Sequence, residues 1–491
     1  MQSQPIILWF RNDLRLDGNL ALSAALSSQK PVIPVFISDD ESRDCTFNGP
    51  HSIWWLSRSL RQLSDSLQNN GSRLIIRKGS PHTELRNLAS ETNADQIYFN
   101  ERYEPSEIQT QRLVKQALEQ ENIFWKSFNS NYLFNPRSIY KSNNAPYKKF
   151  SAFWKHCLMQ PTENLMALPV KPKHFPSPLL WPNTIQPEEL NKSLGFKGAS
   201  YPKQIWVPGE VSSQKKLNKF LLTSYECYSE NRDRSDITGT SMLSPHLSFG
   251  EIGPSQIFKE INQLSRNVDS WETSYGNKFI GELGWREFAN YMITHFPESK
   301  NKPVKSVLDH FMWDDNDHHL NAWKSGETGY PIVDAAMRQL KSTGWMNNRL
   351  RMVVASFLVK NLLIPWQKGA EWFSYLLIDA NEASNILGWQ WVAGCGTDPA
   401  PYFRIFNPLT QSQKTDPNGS FIKEWLPELS RLHEPWIHTP WLAPTNILRK
   451  AQITLGVDYP SPIIDYKTSR VRSLSAYKHA KLKYDLERKN N

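Results

Sequence analysis

The first 130 residues alternate short apolar runs with longer segments of helical periodicity, and this alternation restricts the fold more than any other feature of the chain. The apolar runs cover residues 5–10, 32–37, 73–77, 96–100 and 123–128. The segments between them, 18–29, 51–69, 81–93 and 105–121, can each form a helix. Strand, helix and strand at this spacing require a right-handed crossover, which makes neighbouring strands parallel. The pattern predicts a parallel, Rossmann-like α/β domain over residues 1–130.

The remainder of the chain changes character twice. Residues 131–208 are rich in proline, which predicts an extended connector. From residue 209 to residue 485 helical patterns dominate, and the clearest of them predicts a helix over residues 345–363. We therefore expect an α/β domain at 1–130, a connector at 131–208 and an all-α domain at 209–485. A chain of 491 residues is too long for one compact core, which agrees with this division.

Composition narrows the classes of protein that remain. Hydrophobic residues make up 39% of the chain and charged residues 21%, which is typical of a globular protein, and no apolar run is long enough to span a membrane. The cysteines (Cys45, Cys157, Cys227 and Cys395) form no C-x-x-C pair. We therefore expect a reducing compartment, the cytoplasm, with neither a zinc site nor a disulfide.

Charge and tryptophan content leave two interpretations open. The net charge of +9 suits a polyanionic partner such as nucleic acid, but a purely solubilising charge is commoner. The chain has 19 tryptophans, most of them from Trp206 onward. Indole rings in such number favour stacking surfaces or redox chemistry, although a large helical core also holds several.

Six motifs carry the most specific signal. They are WFRNDLR (9–15), GELGWREF (281–288), TGYPIVDAAMR (328–338), GWMNNRLRM (344–352), WQW (389–391) and PYFRIFNP (401–408). In these motifs the sequence resembles the photolyase/cryptochrome family over nearly its whole length, and within it the microbial photolyases that split cyclobutane pyrimidine dimers. The resemblance implies an N-terminal α/β domain that holds an antenna chromophore and an all-α C-terminal domain that binds FAD.

The resemblance also assigns the flavin contacts. Tyr228 and residues 240–244 match the phosphate and ribityl contacts, and Arg351 with Asp379 matches the pair beside the isoalloxazine ring, although such a pair is by itself usually structural. Asn385 matches the position that faces flavin N5, where a neutral amide binds without adding a titrating charge. The implied cofactor contacts are Tyr228, Thr240, Ser241, Met242, Leu243, Ser244, Phe279, Glu282, Arg286, Asn348, Arg351, Asp379, Asn381 and Asn385.

Indole rings have two implied roles. Trp389, Trp366 and Trp313 match the family's electron-transfer chain from the flavin to the surface; without the resemblance each would be interpreted as a core residue. Trp285 and Trp391 match the aromatic walls that receive a flipped-out dimer, a step whose cost is lowest for a poorly stacked lesion.

Polar residues complete the implied substrate site. Glu282 would hydrogen-bond the base edges, and Met352 stands where the (6-4) branch has a His-rich helix, which favours cyclobutane dimers as substrate. The residues implied to contact DNA are Arg232, Trp285, Asn348, Arg349, Trp391, Arg404 and Gln411.

The antenna is expected to be 5,10-methenyltetrahydrofolate rather than a deazaflavin, because GPHSIWWL (49–56) resembles folate-using photolyases. Alternatively, Trp54 and Trp55 only pack a helix onto the sheet. The resemblance thus implies a monomeric, metal-free enzyme in which reduced FAD, FADH⁻, splits pyrimidine dimers in ultraviolet-damaged DNA under blue light.

Two other functions remain open. Asn385 favours repair because plant cryptochromes carry Asp there, but Ile386 and Leu387 resemble plant cryptochromes, and Asn381 replaces the Asp of most relatives. A cryptochrome-type photoreceptor without repair activity is therefore the main alternative. Composition alone also allows a non-enzymatic nucleic-acid binder, which would be colourless.

Overall fold

The structure, a computed structural model, describes residues 4–39, 49–160, 167–192, 205–265, 276–397 and 403–490. Cys45 and the first two residues of the motif at 401–408 lie outside these ranges. The first of two compact units consists of Met1–Glu226, Ser241–Pro297 and Ile378–Ala383, and the second of Cys227–Thr240, Glu298–Leu377 and Ser384–Asn491. Within the described ranges, every helix is too short or too polar to cross a lipid bilayer.

A five-stranded parallel sheet forms the core of the first unit, in the order β3-β2-β1-β4-β5. Its strands are β1 (Ile6–Phe10), β2 (Val32–Ser38), β3 (Ile75–Lys78), β4 (Gln96–Asn100) and β5 (Phe124–Phe128). Its helices are α1 (Leu20–Ser27), α2 (Pro50–Gln68), α3 (Pro81–Thr92) and α4 (Pro105–Gln120). The predicted parallel α/β domain is confirmed. Strand β1 is buried along its whole length, as expected where crossover helices cover both faces.

Polar side chains fix the carboxyl ends of β1 and β4. Asn100 Nδ2 donates to Asp13 Oδ2 at 2.5 Å and to Asn19 Oδ1 at 2.8 Å. Burial raises the pKa of Glu104, but the charge and hydrogen bond of Arg102 outweigh it and lower that pKa to about 2. This edge, where open α/β sheets usually bind ligands, is therefore lined by polar groups that already pair with one another.

Helices are the other regular elements in the described part of both units. The first unit also contains α5 (Phe150–Leu158), α6 (Glu189–Lys192), α7 (Glu210–Thr223), α9 (Ser244–Ser248), α10 (Pro254–Ser265) and α11 (Gly276–His295). The second contains α8 (Tyr228–Asn231), α12 (Asp317–Ser325), α13 (Pro331–Thr343), α14 (Asn348–Ser356), α15 (Trp366–Leu376), α17 (Pro408–Thr415), α18 (Ser420–Trp425), α19 (Thr445–Ala451) and α20 (Tyr466–Asn490). Helix α16 (Glu382–Ala393) begins in the last segment of the first unit and continues into the second. The predicted all-α C-terminal part is confirmed.

The helix predicted over residues 345–363 is shorter and irregular. It begins at Asn348, because the Asn347 side chain accepts a hydrogen bond from Arg349 N and so caps the first turn. After Ser356 it becomes a π-helical turn, Phe357–Asn361. This turn carries the fully buried Lys360, whose Nζ donates to Ala393 O at 2.6 Å, at the end of α16. Burial lowers the pKa of Lys360 well below its usual value.

Trp55 packs helix α2 against other parts of the first unit. Its ring stacks on Phe249 with centroids 6.0 Å apart, and its Nε1 donates to Glu251 Oε1 at 3.0 Å. Glu251 also accepts from Gly209 N at 2.7 Å and pairs with His246 Nδ1. Trp55 therefore has a packing role, one of the two roles considered for it.

Glu287 joins helix α11 to the segment that follows the sheet. Its Oε2 accepts from Leu133 N at 2.9 Å and from Phe134 N at 3.3 Å. Burial nevertheless raises the pKa of this carboxyl from 4.5 to about 7, because desolvation outweighs the Arg286 charge and these hydrogen bonds.

We expect Glu287 to make the protein less stable as the pH rises. The folded state holds the Glu287 proton more tightly than the unfolded chain, so the stability lost between pH 4.5 and pH 7 is roughly 3 kcal/mol. Glu287→Gln should remove that part of the slope when the free energy of unfolding is measured by urea denaturation across this range. Glu121→Gln, at an exposed position after α4, should keep the wild-type slope. If the free energy of unfolding changed with pH equally in wild type and Glu287→Gln, the raised pKa of Glu287 would be contradicted.

Candidate functional site

Helix α11 carries Trp285 and Arg286 three and four residues after Glu282, so each of the two side chains lies one turn from Glu282. All three are half-buried. The Trp285 ring lies face to face with Phe150 of α5, with centroids 3.9 Å apart and an interplanar angle of 12°. Phe288 contacts the Trp285 ring edge-on at 5.9 Å. One face of this indole is therefore supported by the protein itself.

The Arg286 guanidinium is directed to the segment after the sheet. Its Nη1 donates to Asn131 O at 3.0 Å, and the group lies 4.7 Å from the centre of the Tyr132 ring. These contacts define a packing role for Arg286, and its predicted contact with the flavin stays a prediction.

The predicted phosphate-contacting residues fall into both units. Ser241, Met242, Leu243 and Ser244 belong to the first, and Met242 has a φ of +51°, which few side chains adopt. Leu243 is buried, whereas Ser241 and Met242 are half-buried. Tyr228 and Thr240 belong to the second unit.

A hydrogen bond connects this region of the first unit to the segment Ile378–Ala383. Ser248 Oγ donates to Ala380 O at 2.8 Å. Asp379, on one side of Ala380, is buried, and Asn381, on the other side, is half-buried. The structure thus brings the neighbourhood of two predicted flavin contacts next to helix α9.

Phe279 lies in an aromatic cluster of the first unit. Its ring centroid is 4.7 Å from that of Phe220 and 6.4 Å from that of Tyr225. The side chain is almost fully buried, so it packs the first turn of helix α11 against these rings.

In the second unit, the Asp233 carboxylate pairs with two of the predicted DNA contacts. Arg349 forms a salt bridge with Asp233, and Arg232 Nε lies 3.6 Å from Asp233 Oδ1. Asn347 Nδ2 donates to Arg232 O at 3.0 Å, and the Arg232 guanidinium lies 5.5 Å from the centre of the Tyr228 ring. The structure therefore brings Tyr228, Arg232 and Arg349 together, with the two arginine charges partly offset by Asp233.

Helix α14 carries the other residues predicted in this region. Asn348 is exposed, and its Nδ2 lies 4.0 Å from Met352 Sδ. Arg351 Nε donates to Met346 O at 2.8 Å. Arg404 is exposed and Gln411, on α17, is half-buried.

Asn385 lies on helix α16, and two hydrogen bonds to helix α15 hold its side chain. Its Nδ2 donates to Ala370 O and to Ser374 Oγ of α15, both at 2.9 Å. No residue in the described part of the chain donates to Asn385 Oδ1. The amide nitrogen is thus used by the protein, and the amide oxygen is left as an acceptor.

The three tryptophans of the predicted electron-transfer chain differ in exposure. Trp389 and Trp366 are almost fully buried, whereas Trp313 is half-buried beside Phe311, with centroids 4.6 Å apart. The Trp389 ring meets two other rings edge-on, with its centroid 5.1 Å from that of Phe373 and 6.2 Å from that of Trp323. Trp391, two residues later on α16, is half-buried.

Sequence reasoning missed several residues that hold these side chains. Phe150 supports Trp285, Asp233 pairs with both arginines, and Trp323 is a further buried indole beside Trp389. A sequence signal existed only for Phe150 and Trp154, which are spaced to lie on one face of a helix.

Comparisons with known proteins cover nearly the whole chain. Residues 6–173 match the family described as DNA photolyase, and residues 279–479 match the FAD binding domain of DNA photolyase. A deoxyribodipyrimidine photo-lyase of Agrobacterium fabrum is 41% identical over 97% of this chain and 98% of its own length. Cryptochrome-1 of Arabidopsis thaliana is 36% identical over 95% of this chain and 69% of its own length. The crystal structure of a bacterial class III photolyase from Agrobacterium tumefaciens has a TM-score of 0.92 at 40% identity, covering 98% of both chains.

The position of Trp389 depends on a glycine, which gives a test of the packing. A Cβ added at Gly369 of α15 would lie 2.1 Å from Trp389 Cη2 and 2.7 Å from a methyl carbon of Leu358. Gly369→Ala should therefore destabilise the protein by roughly 1–3 kcal/mol, although alanine is the better helix former. Glu371→Ala, at an exposed position of the same helix, should leave stability nearly unchanged. Urea denaturation measures both, and a Gly369→Ala variant as stable as wild type would show that Trp389 does not pack against α15.

Proposed function

This chain belongs to the photolyase/cryptochrome family, and we propose that it is a deoxyribodipyrimidine photo-lyase, which uses light to split cyclobutane pyrimidine dimers in DNA. The observation that carries the proposal is Trp285, a half-buried indole held flat by Phe150 and one turn from Glu282. Such a ring can stack with an unpaired base, which is worth roughly 1–3 kcal/mol per base. A carboxylate beside it can accept hydrogen bonds from the base edge.

FAD is the cofactor that the matched FAD-binding domain indicates, and the residues fit it. Gly388 of α16, one turn from Asn385, is exposed, and a Cβ built there meets no atom within 4 Å, so the helix surface beside Asn385 is open to a bound group. When bound in reduced form, FAD supplies the electron that splits the dimer. The protein binds and orients the cofactor and the lesion, and keeps water away from them.

Asn385 supports a role at the flavin N5 position. Because Ala370 and Ser374 hold its Nδ2, its Oδ1 is the atom that can accept a hydrogen bond from an N5–H group. Because an amide does not titrate, Asn385 adds no charge beside the flavin, and this favours the reduced cofactor that repair requires. We also propose Tyr228, Thr240, Ser241, Met242, Leu243, Ser244, Phe279, Glu282, Arg286, Asn348, Arg351, Asp379 and Asn381 as flavin contacts.

We assign Trp389, Trp366 and Trp313 to the reduction of the oxidised cofactor. Two of these rings are buried and Trp313 is half-buried, which suits a path from the interior toward solvent. Indole is oxidisable, and intermediate rings divide one long electron transfer into short ones. Repair by an enzyme that is already reduced does not need this path.

The proposed DNA contacts combine stacking and charge. Trp285 and Trp391 are each half-buried, as stacking surfaces must be. Arg232, Arg349 and the exposed Arg404 supply positive charge for phosphates, with Asn348 and Gln411 as neutral hydrogen-bonding partners. Asp233 offsets part of the first two charges, so those arginines position the backbone more than they add affinity.

We further propose that the antenna is 5,10-methenyltetrahydrofolate and that the protein acts as a monomer in the cytoplasm. The support for the antenna is the sequence GPHSIWWL at 49–56, in which Trp54 lies beneath the Arg58 guanidinium at 4.3 Å. Trp55 is engaged with Glu251 and Phe249, and both indoles of this pair are buried.

Illumination of dimer-containing oligothymidylate with the reduced protein tests the proposal. We expect the ultraviolet absorbance of intact thymines to recover under blue light and to stay constant in the dark. A yellow protein that binds FAD but restores no absorbance would contradict repair and would favour a photoreceptor. A colourless protein would instead favour a non-enzymatic nucleic-acid binder.

The variant Trp313→Phe separates repair from cofactor reduction in the same assay. Protein reduced chemically beforehand should repair at nearly the wild-type rate, whereas light-driven reduction of its oxidised flavin should slow markedly. Trp436→Phe, another half-buried tryptophan of the second unit, is the matched control and should behave as wild type in both measurements. Equal loss of repair and reduction in a folded, flavin-loaded Trp313→Phe protein would contradict the assigned role.

A further inference from the structure

Trp285 and two other aromatic rings of the first unit form a column of nearly parallel planes. Phe150 and Trp154 lie one turn apart on α5, and their rings are parallel within 12° with centroids 6.3 Å apart. Phe150 is in turn parallel to Trp285 within 12°, at the closer distance of 3.9 Å. Trp285, Phe150 and Trp154, here called the ring column, thus present nearly parallel planes from two helices that are far apart in sequence.

Backbone contact fixes the lower end of the ring column. A Cβ added at Gly284, the residue before Trp285, would lie 2.7 Å from Cδ2 and 2.8 Å from Cε2 of Trp154. The backbone of α11 therefore rests directly on the Trp154 indole, which is almost fully buried. Because Gly284 and Trp285 are adjacent, this contact sets the height at which the Trp285 ring meets Phe150.

Edge contacts restrict rotation of the rings in the column. Phe288 is fully buried and meets Phe150 at 5.9 Å and 67°, and Trp285 at 5.9 Å and 75°. Phe153, also buried, packs on Phe288 at 5.3 Å. The Trp285 indole is thus held by one ring against its face and one against its edge, while the side chain itself stays half-buried.

We propose that Phe150 is a positioning residue for lesion recognition: it holds the Trp285 indole in the one plane in which the opposite face can stack with a base of the dimer. This inference rests on the proposed function. A ring that is ordered before the lesion arrives loses little rotational freedom when the base stacks on it, so preorganisation strengthens binding. An undamaged duplex keeps its bases stacked inside the helix and gains nothing from that plane. Phe150 therefore affects discrimination between damaged and undamaged DNA, not the splitting step.

The test compares ring-free and ring-retaining variants of the full-length, FAD-loaded protein. Phe150→Leu fills similar volume without a flat ring, Phe150→Met is a second ring-free variant should leucine impair folding, and Phe150→Tyr restores the ring. The probes are two duplexes of identical sequence, one of which contains a single thymine dimer. Affinities are measured by fluorescence anisotropy in the dark.

We expect Phe150→Leu and Phe150→Met to bind the dimer-containing duplex roughly tenfold more weakly, which corresponds to the loss of part of one stacking interaction. Their affinity for the undamaged duplex, their flavin content and the repair yield per absorbed photon at saturating dimer should match wild type. Phe150→Tyr should recover most of the preference for damaged DNA.

Two outcomes would overturn the inference. Ring-free variants that keep the wild-type preference for the dimer would show that Phe150 does not set the Trp285 plane. Variants that lose affinity for both duplexes together would show that Phe150 only stabilises the fold. If the wild-type protein itself showed no preference for the dimer, the proposed function would fail instead, and the two failures are thereby distinguishable.

Discussion

Each unit of this protein places an indole ring directly against the backbone of a helix, at a glycine where any larger side chain would collide. In the first unit the ring is Trp154 against Gly284, and in the second it is Trp389 against Gly369. Direct contact of this kind leaves no space for the ring to move, since the helix backbone is itself held by its hydrogen bonds. Both contacts lie beside residues to which we assign function, Trp285 in one unit and the electron path in the other. Packing against neighbouring rings and helix backbone thus positions Trp285 and Trp389.

Buried polar groups restrain the helices that carry these rings. Glu287 fixes α11 to the chain after the sheet, and Lys360 donates to the last carbonyl of α16, a group that helices leave without an internal partner. Burial favours the neutral form of each group, so it raises the pKa of Glu287 and lowers the pKa of Lys360. Such groups stabilise the fold only while their hydrogen bonds are kept, so they favour one arrangement of the helices over others.

The sequence predicted the fold more fully than the site. Five strands and their helices follow from local periodicity, so they were found within a few residues of their observed bounds. The helix predicted at 345–363 was wrong at both ends, because the Asn347 cap starts it later and the α-helix changes to a π-helical turn after Ser356. The supporting contacts of the site, Phe150 with Trp285 and Asp233 with Arg349, join residues more than a hundred positions apart. No local pattern predicts such pairs. The resemblance names the candidate site residues, and tertiary packing determines how their side chains are held.

We propose that a reduced flavin in this protein gives an electron to a pyrimidine dimer bound on its aromatic surfaces. The excited-state lifetime of the reduced flavin measures that step directly, because electron transfer to the dimer competes with fluorescence. We expect the lifetime to shorten when a dimer-containing oligonucleotide is bound and to stay unchanged with the same oligonucleotide undamaged. A lifetime that does not respond to a dimer shown to be bound would contradict the account.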